Sequence, residues 1–158
     1  MQTIERTIDV DLPVRRVYAE WTHFEDFPQF MGAIKEVRRL DGNKLHWVGQ
    51  LGGIVREWDS EITEQVPENV LAWRSVSGAA HAGRVKFQPL GPEQTRVTLQ
   101  FSFEPEGVLE KVADAFGVLE RRVETDLVRF KDFVEMRGAP SWDESWRADR
   151  KWESKAEE

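Results

Sequence analysis

The apolar period of this chain shifts from two to helical, back to two through a long middle, and finally to helical again. Over residues 2–11, Ile4, Arg6, Ile8 and Val10 share one parity and Thr3, Glu5, Thr7 and Asp9 the other, which predicts a strand. Asp11-Leu12-Pro13 reads as a helix start, with Asp11 or a neighbour capping and Pro13 in the first turn. Val14, Val17, Tyr18 and Trp21 give that helix its dry face. A second short helical piece, HFEDFPQFMGAI, carries Phe24, Phe27, Phe30 and Met31, with Pro28 expected in its first turn.

About six strands follow at short intervals. Ile34–Leu40 turns at Asp41-Gly42-Asn43 into Lys44–Leu51. Gly52-Gly53 has the composition of a two-residue hairpin loop leading into Ile54–Val66. If Leu51 pairs with Ile54, Trp47 stands opposite Trp58 and Arg56 opposite Gly49, with Leu45, Ile54 and Ile62 on the same face as the tryptophans. Pro67-Glu68-Asn69 turns into Val70–Ser77, where Leu71 and Trp73 are expected to face inward. A last hairpin joins Ala80–Leu90 to Gln94–Glu104 around Gly91-Pro92. Its dry faces are Gly83, Val85 and Phe87 on one strand, and Val97, Leu99, Phe101 and Phe103 on the other.

Residues 107–137 return to the helical period. Leu119, Val123, Leu127, Phe130 and Val134 form one apolar stripe, and Arg121, Arg122, Glu124, Asp126, Arg129, Lys131, Asp132 and Glu135 occupy the wet faces. Before Gly117 the pattern changes, because Val108, Leu109, Val112, Ala113, Ala115, Phe116 and Val118 point nearly all round. Glycine costs roughly 1 kcal/mol against alanine inside a helix, so a break or kink is expected at Gly117. The short half, with Leu109, Val112 and Phe116, is expected to close a cavity mouth, and the long half to act as scaffold.

A meander of antiparallel strands leaves one face to be covered, and the terminal helix is the only element long enough to cover it. The expectation is an α+β fold with a curved antiparallel sheet wrapped around a long C-terminal helix. At 158 residues the chain suits one domain, 1–138, followed by a charged tail, 139–158. Trp142, Trp146 and Trp152 in that tail read either as packing on the domain's outside or as a partner or self-association segment, which leaves a homo-oligomer open.

Charge and composition narrow the function classes. The net charge of -7 argues against a nucleic-acid or anionic-membrane surface. With no cysteine there is no disulfide or thiolate metal site, and a reducing compartment is permitted. No signal peptide and no membrane-spanning run stand out, so a cytoplasmic protein is expected.

VYAEWTHFEDFPQFMGAIKEV, then LAWRS, GRVKFQPL and TRVTLQFSFEP, and finally DLVRFKDFVE resemble the corresponding segments of bacterial polyketide cyclase/dehydrase-like proteins of the START-like (SRPBCC) superfamily. The resemblance spans roughly residues 2–137. It implies the helix-grip fold, with a hydrophobic cavity between sheet and terminal helix. Members include aromatic polyketide aromatase/cyclases, coenzyme Q-binding proteins and lipid carriers, so it marks fold more sharply than function.

No catalytic signature is evident. His23, His46 and His81 lack HxxxH or HExxH spacing, so no metal is assigned. Nucleophile-elbow, Walker and dinucleotide motifs are absent, and no cofactor is expected. What remains is an aromatic inward face of Trp47, Trp58, Trp73, Phe87, Phe101 and Phe103, joined by Leu109, Val112 and Phe116 from the helix. It reads as plain core or as the lining of a ligand cavity. Arg6, Arg56 and His81 share parity with apolar neighbours. They read as groups gripping a ligand oxygen, or else Arg6 and Arg56 are solvated, near a strand start and a hairpin tip, and His81 lies in the loop after Gly78. The first functional expectation is therefore binding of a hydrophobic small molecule without catalysis. The alternative is a cyclase or dehydratase with His81 as base and Arg56 as stabiliser, and Tyr18, which more simply packs on the first helix, a lesser candidate. A third is an interaction module built on the tail.

Overall fold

Among the described residues seven strands form one antiparallel sheet in which the first lies beside the last and not beside the second. The computed structural model describes residues 2–51, 53–78, 80–103 and 115–138. In chain order these form β1 (Gln2–Val10), α1 (Val14–Trp21), a 3₁₀ helix (Phe24–Gln29), β2 (Ile34–Arg39), β3 (Lys44–Leu51), β4 (Ile54–Val66), β5 (Val70–Ser75), β6 (His81–Gly91), β7 (Gln94–Phe103) and α2 (Ala115–Gly138). The sheet order is β1-β7-β6-β5-β4-β3-β2. Strands β2 to β7 are a meander of hairpins, and β1 closes onto β7 over nine paired positions, Gln2 with Phe103 through Val10 with Thr95.

The register follows the expected parity. Leu51 pairs with Ile54, Gly49 with Arg56 and Trp47 with Trp58. Alternation then sends Leu45, Trp47, Ile62, Leu71, Trp73, Val85, Phe87, Val97, Leu99 and Phe103 to the buried face. The curved sheet packs on α2 in the α+β arrangement expected. The apolar stripe of α2 is core: Val123, Leu127, Phe130 and Val134 are buried, each worth roughly 1.5–3 kcal/mol. Trp21 stacks on Phe130 at 4.7 Å between ring centroids, and Phe30 meets Phe130 edge-on at 5.1 Å. The helix, α1 and the 3₁₀ segment thus share one aromatic core.

Polar contacts fasten β1 and α1 to the same helix. Arg6 remains partly exposed and turns to the helix: its guanidinium bridges Glu120 at 2.6 Å and Glu124 at 2.8 Å on α2. Lys131 donates to the Asp9 carbonyl at 3.0 Å. Arg137 near the end of α2 donates to Asp26 at 2.9 Å and Glu20 at 3.3 Å. Burial raises the Glu20 carboxyl above its usual range despite that guanidinium, while Asp26 is held low by Arg137 and Glu20 against its own desolvation.

Four local expectations are corrected. Helix α2 is continuous from Ala115 through Gly117, while the short half at 107–114 lies outside the described residues. Pro13 is the N-cap of α1, not a first-turn residue, and no side chain caps that helix. Asp11 instead gives its backbone N–H to Glu135 at 2.7 Å. Pro28 sits near the end of the 3₁₀ segment, which is too short for a separate interior. Ile54 is exposed, because it stands at the β3–β4 hairpin tip beyond the reach of the core. The tail 139–158 lies outside the described residues.

Candidate functional site

The aromatic residues of the inner face are laid down on the sheet instead of standing up from it, and glycine is the reason. Strand side chains ordinarily project perpendicular to the sheet. Trp73 faces Gly83 across the β5–β6 ladder, and its indole covers that residue so closely that a Cβ there would stand 2.3 Å from Cζ2. Trp58 does the same diagonally over Gly49, whose Cβ would meet Cη2 at 3.0 Å. Both indoles thereby lie along the sheet and form an aromatic floor on its inner face.

Trp47 sits between them, offset-stacked with Trp58 at 6.0 Å and with Trp73 at 6.3 Å. Its indole N–H donates to the buried Ser60 hydroxyl at 2.8 Å, which fixes the ring. His81 opens β6 rather than lying in the preceding loop. Because β5 ends at Ser75, the imidazole reaches across to Trp58, edge-on at 5.5 Å, and to Phe101 at 5.8 Å. Phe101 in turn stacks with Phe103 at 5.9 Å. The structure therefore joins Trp47, Trp58, Trp73, His81, Phe101 and Phe103 into one contiguous ring cluster, in which Trp47, Trp73 and Phe103 are buried and Trp58, His81 and Phe101 are half-buried.

Phe87 belongs elsewhere. It packs edge-on against Tyr18 at 5.3 Å beneath α1 and is ordinary core. The Tyr18 hydroxyl accepts a hydrogen bond from Gln65 at 3.1 Å, which accounts for that residue structurally. Leu109, Val112 and the Phe116 side chain lie outside the described residues, so the cavity-mouth expectation rests on the sequence alone.

Two features of this face are chemically unusual. The Trp58 indole N–H is buried and has no hydrogen-bond acceptor among the described residues, and leaving such a donor unmet costs about 1–3 kcal/mol. Trp58 as a whole is only half-buried, so the floor is not sealed. The rim beside it is cationic in an otherwise acidic chain. Arg56, on the same parity as Trp58, is exposed and forms no ion pair among the described residues. At Gly32, between the 3₁₀ helix and β2, Arg122 and Arg129 of α2 bring an Nη1 atom to 2.8 and 3.0 Å from where a Cβ would be. Asp126 between them accepts the Gly32 N–H at a long 3.4 Å, and burial raises its carboxyl to about 6 against both arginines. Sequence reading placed these arginines on the wet side of the helix. Their spacing of three and four about Asp126 was visible, but the loop they reach was not.

Among the described residues one group has metal-ligand geometry: Glu20, His23 and Asp26. Arg137 already supplies a cation to both carboxylates there. No described helix is long and apolar enough to cross a membrane.

Comparison with known proteins agrees with this architecture. The family model described as polyketide cyclase/dehydrase and lipid transport matches residues 10–132. An uncharacterized 17.2 kDa protein of Streptomyces lincolnensis is 43% identical over 139 residues, covering 87% of this chain and 93% of that one. Among solved structures, the Zhui aromatase/cyclase from a Streptomyces species superposes with a TM-score of 0.74 at 18% identity, over 86% of this chain and 94% of that one. A Thermus thermophilus protein gives 0.73 at 22% identity, over 87% and 100%. A START superfamily protein from Mycobacterium smegmatis gives 0.65 at 17% identity, over 85% and 95%. At such identities these structures speak to the fold alone.

Proposed function

The chain belongs to the polyketide cyclase/dehydrase and lipid transport family, and from that premise we propose that it binds a flat apolar small molecule, of quinone or polyketide-type aromatic character, on the tryptophan floor beneath α2, without catalysing its conversion. Family membership supports the coarser reading, a hydrophobic-ligand-binding or polyketide-related role. The observation that carries the finer one is the pair of indoles folded flat onto Gly83 and Gly49. Trp47 links them, parallel to Trp58 within 9° and inclined to Trp73 by 26°, and such a run of flat rings suits a planar ligand better than a branched acyl chain. The unmet Trp58 N–H supports a ligand that carries a carbonyl or phenolic oxygen.

The test is titration of the purified protein with a naphthoquinone and with a saturated acyl chain of equal carbon number, read by native mass spectrometry and tryptophan fluorescence. Saturable one-to-one uptake of the quinone with strong quenching is expected. Trp58→Leu should weaken that uptake. Absence of uptake of either compound would overturn the reading, and preference for the acyl chain would replace it with lipid carriage.

A second reading has one observation in its favour. His81 lies on the same floor, against Trp58 and Phe101, where a general base for cyclisation or dehydration of a poly-β-keto chain would stand. Arg56 is two residues from Trp58 at the open end. Turnover of a poly-β-keto thioester that disappears in His81→Phe while ligand uptake persists would favour this chemistry. Equal product distributions with and without protein would exclude it.

A further inference from the structure

Arg122, Asp126 and Arg129 share one face of α2, at intervals of four and three residues. The two arginines stand two turns apart along the axis, yet their Nη1 atoms converge on the same spot above Gly32. Neither guanidinium has a carboxylate oxygen within 4.0 Å among the described residues. By contrast, Arg6, Arg74, Arg84, Arg96 and Arg137 are all paired. Two like charges held together without a bridging anion repel, and an oxyanion placed between them would relieve that repulsion and take several N–H donors at once. Any side chain at Gly32 would fill the spot, since its Cβ would meet both guanidiniums at 3.0 Å or less. Asp126 lies between them in sequence and feels both charges, but its carboxylate is more than 4.0 Å from either guanidinium and accepts the Gly32 N–H instead.

The position of this spot relative to the tryptophan floor gives it meaning. The next residue, Ala33, accepts a hydrogen bond from the Gln50 N–H at 2.8 Å. The same carbonyl stands 3.3 Å from where a Gly49 Cβ would be, and Gly49 is the residue that Trp58 covers. One residue of chain therefore separates the paired guanidiniums from the edge of the floor.

We propose that Arg122 and Arg129, over Gly32, form an oxyanion receptor at the rim of the floor, so that the preferred ligand is an apolar acid whose carboxylate is held there while its ring system lies on Trp58 and Trp47. The second half of that statement rests on the binding reading above. The receptor itself does not.

The experiment uses the full chain and compares 2-naphthoic acid with its neutral methyl ester by tryptophan quenching at neutral pH. The acid should bind tighter by about tenfold or more, and the preference should vanish in Arg122→Gln/Arg129→Gln, with ester binding unchanged. Equal affinities for acid and ester in the native protein, or an acid preference that survives the double substitution, overturns the proposal. Inorganic phosphate alone provides the independent arm, read as a shift of the Gly32 amide resonance. A saturable shift that is lost in the double variant supports the receptor even if neither naphthalene compound binds, in which case only the floor reading has failed. No shift together with no acid preference overturns the receptor.

Discussion

Trp73 lies across Gly83 at a separation that leaves no room for a single added carbon, with three indole atoms within 2.8 Å of the missing Cβ. The pair is a direct ladder pair, so sheet backbone and aromatic ring are in contact at the centre of the proposed floor. Gly83→Ala must lift the ring off the strand into its packed neighbours. Overpacking of this kind costs about 1–3 kcal/mol, and a matching loss in urea denaturation with an altered near-ultraviolet tryptophan signal is expected. Gly91→Ala, where no heavy atom comes within 4 Å, is the control and should leave both unchanged. Equal effects at the two glycines would mean that the ring is not seated as described.

Ser60 has one evident task, to accept the Trp47 N–H at 2.8 Å in a place where both residues are buried. Ser60→Ala leaves the indole donor unmet, at a cost of about 1–3 kcal/mol. In the Ser60→Ala/Trp47→Phe double variant the donor is gone as well, so the two losses should fall short of additive. Strict additivity in a denaturation cycle would show that the hydrogen bond contributes nothing.

His46, on the outer face, is held between Asp59 at 2.6 Å and Glu57 at 2.9 Å. The Asp59 hydrogen bond, then that of Glu57, raises the imidazole above its ordinary 6.5 against a smaller desolvation effect. A folded value above the unfolded one means that the stabilisation is complete below about pH 6.5 and is lost as pH rises through the raised value. Urea denaturation of the native protein relative to His46→Gln, followed from about pH 6 to pH 9, should show the native advantage shrinking. An advantage that grows with pH would contradict the assignment.

Asp126 follows the same direction in a more acid window. Burial, only partly offset by the Gly32 N–H and the two arginines, lifts its carboxyl from 3.8 to about 6. Between those values the folded chain holds a proton that the unfolded chain has released, so this residue's contribution falls as pH rises through the window and stays low above it. Asp126→Asn should therefore be at least as stable as the native protein above about pH 6 and lose its relative advantage near pH 4. Greater destabilisation at neutral than at acid pH would show that the charged carboxylate is needed there.

The strands and the helical stripe were legible because they depend on local period. Ile4, Ile8 and Val10 face one way in any strand, and Val123, Leu127, Phe130 and Val134 line up on any helix. The β3–β4 register could be counted from Gly52-Gly53 because hairpin geometry transmits it residue by residue, which is how Trp47 came to stand opposite Trp58. At Gly117 the helix is continuous from Ala115, since a propensity cost of roughly 1 kcal/mol does not by itself end a helix. Phe87 was grouped with the other aromatics by parity, but parity assigns a face and not a position along the sheet, and its position puts it against Tyr18.

For the candidate site the division follows sequence distance. The chain by itself determined which residues face inward and that aromatics dominate there, since alternation needs only neighbouring residues. That an indole would lie down on Gly83, that His81 would reach Trp58 past the end of β5, and that Arg122 and Arg129 would meet over Gly32 are contacts between residues up to about a hundred positions apart. Only the closed fold brings them together, because burying the α2 stripe against β1, α1 and the 3₁₀ segment is what sets the helix above the Gly32 loop.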